Sequence, residues 1–259
     1  MIDNAAERQG RNAGLAGQAA LAGFAEAARR ELAGEGFAVV PGDLLGALEP
    51  AACEPGFTKL WDELEPDAEL CDGGCYRFRR YGRLRAVLRP GGYALTPLPH
   101  APFRQDATYL PGYQGRQRHF APIPAQVLSG PAISGLAGAD LAVVSDLVKA
   151  RQWVIGLHMI RVVAEPGAPG LPTPEGRHRD GHDYIGMHLI GRSDCTGGES
   201  VIYRDGQAPY RTTLATRLDS LLVDDCVLTH EVTPIAAVGG QAATRDTLLI
   251  DLNVDHDGQ

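Results

Sequence analysis

The sequence predicts a mainly β fold with flanking helices, in which an N-terminal helical region precedes a β sandwich or barrel. From Tyr76 onward, short apolar runs are separated by turn-forming sequences such as Arg89-Pro-Gly-Gly92, a rhythm typical of antiparallel β domains. Before Tyr76, apolar residues recur at helical spacing. The chain has 259 residues, a length that suits one large β domain. We therefore expect a single domain over residues 1–259, with residues 1–75 as helical support and edge strands and residues 76–259 as the β core.

The first third is predicted to be mostly helical. An Ala-rich segment, residues 13–32, places apolar residues along one helix face, and two glycines follow it closely. Glycine after a periodic apolar segment favours the end of a helix. Residues 37–40 form a short strand candidate that ends at a Pro-Gly pair. Further short helices are expected over residues 44–48 and 57–64.

The remainder is predicted to consist mainly of short strands, because its apolar runs are bounded by Gly, Pro, Asn and Asp. One helix is expected over residues 139–149. We find no internal repeat and no linker that would divide the chain into two domains. The strand candidates are residues 153–163, 184–190, 200–203, 219–223 and 247–254.

The charge of the chain argues against general affinity for nucleic acid. Lys and Arg number 24 against 32 Asp and Glu, for a formal charge of −8. Binding to nucleic acid depends on neutralising phosphates with basic residues, so no nucleic-acid partner is expected. The local exception is a cluster of arginines between Arg77 and Arg89. We favour solvated or ion-paired positions for these arginines, and the alternative is that they face an anionic ligand.

The sequence offers no support for membrane insertion or secretion. No run of about 18 apolar residues occurs, and no positively charged start leads into an apolar stretch. The five cysteines are odd in number and irregularly spaced, which is not typical of a disulfide framework. We therefore expect a cytoplasmic protein without a membrane partner. Its oligomeric state is left open.

A candidate metal site is formed by His178, Asp180 and His230. His178 and Asp180 are separated by one residue, so in an extended backbone their side chains project from the same face. With His230, they complete a set of two histidines and one carboxylate that leaves other coordination positions open. The tripeptide alone is a weak signal, because a histidine beside an aspartate is often a surface hydrogen-bonded pair. His182 and Asp183 are adjacent, and we expect them to support the site rather than bind the metal.

A candidate carboxylate-binding pair follows His230 in the sequence. Arg245 and Thr247 begin an apolar run, and on a strand they share one face. A guanidinium forms a planar bidentate pair with a carboxylate, and a hydroxyl adds a further hydrogen bond. The alternative is that Arg245 forms an ordinary salt bridge with a nearby aspartate.

The ordered set of motifs resembles the bacterial 2-oxoglutarate/Fe(II)-dependent dioxygenase family that includes the L-isoleucine 4-hydroxylases. The resemblance covers the chain from about Tyr76 to its end. As an ordered set the motifs are far more specific than any one of them. They are Arg79-Arg80-Tyr81-Gly82-Arg83, His158-Met-Ile-Arg161, Pro174-Glu-Gly176, His178-Arg-Asp-Gly181, Gly197-Gly-Glu-Ser200, Leu222-Val-Asp-Asp225, Thr229-His-Glu-Val-Thr-Pro-Ile235 and Arg245-Asp246.

The resemblance implies a double-stranded β-helix, also called a jelly roll or cupin-like fold. It also implies an enzyme that uses Fe(II), 2-oxoglutarate and O2 to hydroxylate a C–H bond, with release of succinate and CO2. By the same resemblance His178, Asp180 and His230 match the iron ligands, and Arg245 matches the residue that binds the distal carboxylate of 2-oxoglutarate. Thr247 fits beside it by strand geometry. Related halogenating enzymes replace the carboxylate ligand by a small residue, so the aspartate here favours hydroxylation.

The resemblance further implies a free amino acid or an amino-acid derivative as the substrate. Such a substrate needs a cation for its carboxylate and an acid or carbonyl for its amine. Arg77 and Arg161 are candidates for the cation, and Glu199 is a candidate for the acid. Two other functions remain open: a cupin-like metal enzyme that does not use 2-oxoglutarate, and a ligand-binding jelly roll without catalysis.

Overall fold

The computed structural model describes residues 21–105, 108–109, 113 and 115–256. The predicted N-terminal helix is present over residues 21–35, while the first part of that prediction, residues 13–20, lies outside the described residues. Gly36, at φ 77°, follows the helix. A positive φ suits glycine, which has no Cβ to clash, so the predicted glycine termination is confirmed.

The helical elements support one side of the fold. The α-helices are α1 (residues 21–35), α2 (Glu49–Ala52), α3 (Pro55–Thr58), α4 (Ala125–Leu128) and α5 (Pro131–Val148), and two 3-10 helices span Gly42–Leu48 and Lys59–Glu63.

The strands lie mainly in the part of the chain where the sequence predicts them. They are β1 (Phe37–Val40), β2 (Glu65–Pro66), β3 (Arg77–Arg89), β4 (Gly92–Pro97), β5 (Phe103–Arg104), β6 (Gln117–Arg118), β7 (Ala121–Pro122), β8 (Gln152–Ala164), β9 (Tyr184–Ser193), β10 (Cys195–Gly197), β11 (Ser200–Tyr203), β12 (Tyr210–Thr212), β13 (Ser220–Asp224), β14 (Thr229–Val232), β15 (Ile235–Ala237) and β16 (Ala243–Val254).

The strands form one large, mainly antiparallel layer and a smaller one packed against it. The large sheet has the order β1-β13-β9-β16-β8-β3-β2, and a three-stranded sheet has the order β12-β11-β14. Met187 and Leu189 of the large sheet pack in one buried cluster with Ile202 and Val232 of the small sheet. Two antiparallel layers that enclose an interior, with helices on the outside, confirm the predicted jelly roll.

The two faces of the large sheet have different partners. On β8, Ile155, Leu157 and Met159 are fully buried in the main hydrophobic cluster with the helices. The alternate residues Ile160 and Val162 face the interior between the two sheets. Because side chains alternate along a strand, each strand of this sheet contributes one set of residues to the core and another to the interior.

Helix α5 begins earlier than the sequence predicts, at Pro131 instead of residue 139. Proline suits the first turn of a helix, where its missing N–H leaves no hydrogen bond unmade. Among the described helices, α5 is the one long and apolar enough to span a membrane by length and composition. Half of it is buried inside the fold, as in the core helix of a globular protein.

The arginine-rich segment forms β3, a strand of 13 residues that the sequence analysis does not predict. It pairs with β8 inside the large sheet. Arg77 and Arg79 are buried, whereas Arg85 and Arg89 are exposed. The expectation of solvated or paired positions therefore fails for Arg79, which is buried and has no carboxylate partner among the described residues. Arg77 and Arg79 are buried where β3 lines the cavity between the sheets, whereas Arg85 lies further along the strand at an exposed position and pairs with Asp255.

Candidate metal centre and its cavity

Backbone pairing brings His178 and His230 together. His178 lies in the connection between β8 and β9, and His230 lies on β14. The two residues form an isolated antiparallel bridge with N–H to carbonyl distances of 2.9 Å in both directions. Asp180 follows two residues after His178, and ligand atoms of all three residues lie within 4.8 Å of one another. The structure thus brings the predicted triad to one point.

The two imidazoles direct the same nitrogen toward Asp180. The Nδ1 of His178 lies 2.7 Å from the carbonyl oxygen of Gly176, so Nδ1 carries a proton and Nε2 is the nitrogen that can bind a metal once it is deprotonated. That Nε2 lies 3.5 Å from Oδ1 of Asp180, and Nε2 of His230 lies 3.3 Å from Oδ2. Two imidazole nitrogens and one carboxylate therefore face a common point.

The electrostatics of the triad suit a bound cation. Burial alone would lower the pKa of His178, but the charge and hydrogen bond of Asp180, the charge of Glu175 and the hydrogen bond to Gly176 together outweigh burial and raise this pKa to about 9. Burial alone would raise the pKa of Asp180, but the charges and hydrogen bonds of the two imidazoles hold it well below its usual range. A divalent metal can replace the proton that this anionic cluster attracts. The donor set of two histidines and one carboxylate fits Fe(II) and leaves coordination positions for other ligands.

Asp225 fixes the loop that carries Asp180, a role that the sequence analysis does not assign to it. Its buried carboxylate accepts hydrogen bonds from the backbone N–H groups of Asp180, Gly181 and His182 at 3.1, 2.6 and 3.0 Å. It also lies 3.7 Å from Nδ1 of His230. One carboxylate thus restrains the backbone around Asp180 and lies beside the imidazole of His230.

Gln105 and Arg118 hold the Asp180 side chain from another direction. The Nε2 of Gln105 donates to both the backbone carbonyl and Oδ1 of Asp180 at 2.9 Å. Arg118 in turn donates to Oε1 of Gln105. Neither residue was identified from the sequence, because neither belongs to a spaced motif and both lie far from Asp180 in the chain.

The triad borders a cavity between the two sheets. The empty space, including the part open to solvent, is about 650 Å³. Apolar walls are provided by Ile160, Val162, Pro172, Met187, Val232 and Leu249. The polar lining outside the triad consists of Arg77, Arg79, Gln105, Arg118, Thr173, Glu175, Arg245 and Thr247.

Arg245 and Thr247 both face this cavity from β16. Arg245 is 3% exposed, and it donates to Oγ1 of Thr247 at 2.7 Å and to the sulfur of Met187 at 3.6 Å. Its Nε has no hydrogen-bond partner, and no described carboxylate forms an ion pair with it. Burial, followed by the repulsion of Arg192, lowers the pKa of Arg245 to about 10. The alternative of an ordinary salt bridge does not apply within the described residues.

Of the three substrate-binding candidates, the structure brings only Arg77 to the cavity, and Asp67 already binds its guanidinium at 2.8 Å. Arg161 lies on the opposite face of β8 from Ile160, where it binds Asp246 at 2.7 Å. Its direction depends on strand alternation, which places odd and even residues on opposite faces.

Glu199, the third candidate, is also not part of the cavity lining. It lies between β10 and β11 and pairs with the exposed Arg211 at 2.5 Å. This contact turns the carboxylate of Glu199 toward the surface. The structure therefore gives neither Arg161 nor Glu199 access to a ligand beside the triad.

Two further histidines lie outside the triad. His182 binds Asp251 at 3.2 Å and contacts Asn253, in agreement with a supporting position. His188 lies between Asp140 at 3.0 Å and Ser220 at 2.8 Å. This serine–histidine–aspartate group is fully buried against α5, so it has no access to a substrate and stabilises the contact between helix and sheet.

Comparisons with known proteins agree with this geometry. Residues 58–251 match the family model described as 2OG-Fe dioxygenase. A 3(1)-hydroxy-L-isoleucine 4-dioxygenase from Pantoea ananatis is 26% identical over 233 residues, covering 85% of this chain and 92% of the relative. An L-isoleucine-4-hydroxylase from Bacillus thuringiensis is 28% identical over 141 residues, covering 52% of this chain and 58% of the relative.

Solved structures show the same fold. A BsmA homologue from Methylobium petroleophilum PM1 has a TM-score of 0.76 and 33% identity, covering 87% of this chain and 91% of that protein. The structure named IDO from Bacillus thuringiensis has a TM-score of 0.69 and 22% identity, covering 89% of this chain and 99% of the other.

We predict that divalent metal binding strengthens as the pH rises. The raised pKa of His178, about 9, means that a proton must leave before the metal binds. Apparent affinity should therefore increase by up to roughly tenfold per pH unit below this pKa. Anaerobic calorimetric titration with Fe(II) or Mn(II), repeated in buffers of different ionisation enthalpy, measures both affinity and released protons. Constant affinity without proton release between about pH 6 and pH 8 would contradict this prediction.

Asp225→Ala is predicted to weaken metal binding by about 10- to 100-fold, because the loop around Asp180 loses its restraint. Asp224→Ala is the matched control, since its carboxylate accepts from the backbone N–H of Cys226 instead. Calorimetric titration gives the metal affinity, and circular dichroism checks that both variants are folded. Equal metal affinity in the two variants would show that Asp225 does not position the triad.

Proposed function

This chain belongs to the 2OG-Fe dioxygenase family, whose members use Fe(II), 2-oxoglutarate and O2, and we propose that it hydroxylates a free amino acid or a close derivative. The overall reaction consumes one 2-oxoglutarate and one O2 for each C–H bond converted to C–OH, and releases succinate and CO2. Both curated relatives carry names of enzymes that act on isoleucine or hydroxyisoleucine. These names support the amino-acid substrate class.

Arg245 is buried and has no partner anion among the described residues, and this observation supports 2-oxoglutarate as the co-substrate. An unpaired buried charge is unfavourable, so this arginine is suited to a ligand that supplies a carboxylate. Thr247 lies beside it and adds a hydroxyl. Both residues line the same cavity as the triad. We assign to this pair the distal carboxylate of 2-oxoglutarate.

His178, Asp180 and His230 would hold the iron. When bound, iron supplies the redox chemistry that couples oxidation of 2-oxoglutarate to insertion of one oxygen atom into the substrate. The protein contributes orientation and water exclusion through the apolar walls around Ile160 and Val162. Asp180 supplies the carboxylate that halogenating relatives lack, which supports hydroxylation as the outcome.

The two alternative functions have less support. A metal enzyme that does not use 2-oxoglutarate has no need of a buried, unpaired Arg245 beside the triad. A ligand-binding jelly roll without catalysis has no need of two imidazoles and a carboxylate facing one point. Membership of the family also argues against both.

We further propose a cytoplasmic location, with a small molecule as the only partner that the reaction requires. All five cysteines are free, and four of them are exposed, which suits a reducing compartment. The formal charge of −8 gives no general attraction to nucleic acid.

A direct test is incubation with Fe(II), ascorbate, 2-oxoglutarate and a panel of free amino acids. We expect succinate to form together with a product heavier by one oxygen atom, as measured by mass spectrometry. Asp180→Ala should abolish both products, because the carboxylate ligand is lost. If succinate is coupled only to a metabolite that is not an amino acid, the substrate class is wrong and the reaction class is retained.

Arg245→Ala is predicted to weaken 2-oxoglutarate binding much more than metal binding. Removing one member of a buried charged pair costs on the order of 2–5 kcal/mol. Arg245→Lys should recover only part of the loss, because an ammonium does not match both carboxylate oxygens in plane. Anaerobic calorimetric titration measures both ligands, with the exposed Arg211→Ala as the control variant. If Arg245→Ala binds 2-oxoglutarate as tightly as wild type, another cation holds the co-substrate.

A further inference from the structure

We propose that the substrate binds as a zwitterion, with its carboxylate held by Arg79 and Arg118 and its ammonium group held by Glu175. This assignment rests on the proposed amino-acid hydroxylation and names the side chains that would recognise the substrate. It replaces Arg161 and Glu199, which lie away from the cavity.

Arg79 and Arg118 form an anion site without an anion from the described residues. They are 6% and 2% exposed, respectively, and both line the cavity. Arg79 donates to Nδ1 of His158 at 3.1 and 2.6 Å, while Arg118 donates to Gln105 and leaves its Nε without a partner. No described carboxylate forms an ion pair with either guanidinium.

The histidine that contacts Arg79 does not neutralise it. Burial, followed by the positive charge of Arg79, lowers the pKa of His158 to about 4. The ring is therefore neutral at physiological pH, accepting from Arg79 at Nδ1 and donating from Nε2 to Asp251 at 2.7 Å. Burial and the neighbouring Arg118 lower the pKa of Arg79 itself to about 10, so it stays protonated. Two cations thus remain available for one carboxylate.

Aromatic rings restrict both guanidinium groups. Arg79 lies 4.4 Å from the centroid of the Phe120 ring, and Arg118 lies 4.0 Å from that of Tyr113. The ring of Phe103 is close to both, at 5.3 and 4.9 Å. Stacking holds a guanidinium plane while leaving its N–H edges available for an in-plane carboxylate. The site is therefore organised before a ligand arrives.

Arg77 is the neighbouring arginine that does not need a ligand. Its Nε donates to Asp67 at 2.8 Å, with both side chains buried, and a second nitrogen donates to the carbonyl oxygen of Pro172 at 3.1 Å. Its charge is already balanced within the protein. We therefore assign the substrate carboxylate to Arg79 and Arg118, which have no carboxylate partner among the described residues, and not to Arg77.

Glu175 supplies an acceptor beside the triad. Its Oε1 lies 3.9 Å from Nε2 of His178, and its Oε2 is buried without a hydrogen-bond partner. An unsatisfied buried carboxylate oxygen is unfavourable, and a substrate ammonium group brings three donors. A substrate held between this acceptor and the two arginines lies next to the metal centre, with the apolar wall of Ile160, Val162 and Pro172 available for an aliphatic side chain.

The substrate cations are separate from the co-substrate cation. On the large sheet, Arg79 of β3 pairs with Ile160 of β8, which pairs with Thr247 of β16. Two strand spacings, about 10 Å, thus separate the backbones of Arg79 and Thr247. Arg245 lies on the Thr247 side. One cavity can therefore hold two different carboxylates at two cationic positions.

The test compares an accepted amino acid with its carboxamide, which lacks the carboxylate, and with the matching 2-hydroxy acid, which lacks the amine. Anaerobic calorimetric titration into protein loaded with Mn(II) and 2-oxoglutarate measures binding, and turnover with Fe(II) gives kcat/KM. Arg79→Met should weaken binding of the amino acid by about 100-fold or more and leave binding of the carboxamide nearly unchanged. Glu175→Gln should weaken binding of the amino acid and leave binding of the 2-hydroxy acid nearly unchanged.

Arg85→Met is the matched control, because Arg85 lies on the same strand but is exposed and pairs with Asp255. It should keep the preference for a carboxylate. Arg79→Lys retains a charge and should keep part of the preference for the amino acid over its carboxamide. It replaces Arg79→Met in the test if Arg79→Met does not fold. Arg118 variants are less suitable, because Arg118 also supports Gln105 beside Asp180.

Two results would overturn the assignment while the proposed function stands. One is that Arg79→Met loses equal affinity for the amino acid and the carboxamide, and that Glu175→Gln loses equal affinity for the amino acid and the 2-hydroxy acid. The other is a loss of 2-oxoglutarate affinity, instead of substrate affinity, in Arg79→Met. If wild-type protein converts no amino acid, the proposed function and this assignment both fail.

Discussion

The candidate site depends on the short antiparallel pairing between His178 and His230. Two backbone hydrogen bonds of 2.9 Å join a connection between strands of the large sheet to a strand of the small sheet. This pairing fixes the spacing of the two imidazoles, and Asp180 follows on the same segment. Asp225 and Gln105 then restrain Asp180 through its backbone and its carboxylate. A metal site built from two elements thus obtains its geometry from backbone hydrogen bonds and buried polar contacts.

The interior of the jelly roll contains charges that the protein itself does not balance. Arg79, Arg118 and Arg245 are buried without carboxylate partners among the described residues, while Arg77 has one in Asp67. Unpaired buried charges lower stability, and they persist at sites where a ligand completes the pairing. The distribution supports two carboxylate-binding positions beside one metal centre, one for the co-substrate and one for the substrate. These three arginines add positive charge to the cavity lining, although the whole chain has a formal charge of −8.

The large sheet separates recognition from structural support. Its inner face carries Arg79, Thr247 and Arg245, whereas its outer face packs apolar residues against α1 and α5. Arg161 lies on the outer side, where its ion pair with Asp246 belongs to the framework. Strand alternation therefore decides which polar residues can meet a ligand.

The resemblance to the dioxygenase family supported His230 as the third member of the triad, and the sequence pattern alone determined the mixed fold class, the positions of six of the sixteen described strands, the His178–Asp180 pair, and the shared face of Arg245 and Thr247. These features depend on local periodicity or on short spacings, which are visible in the sequence without the three-dimensional structure. Only the tertiary structure identified the roles of Asp225, Gln105 and Arg118, because their contacts join segments that are distant in the chain. It also decided which way each strand faces, which placed Arg161 outside the cavity and Arg79 inside it. A single-residue shift in strand orientation exchanges the two faces, and the sequence of one strand does not specify what packs on either.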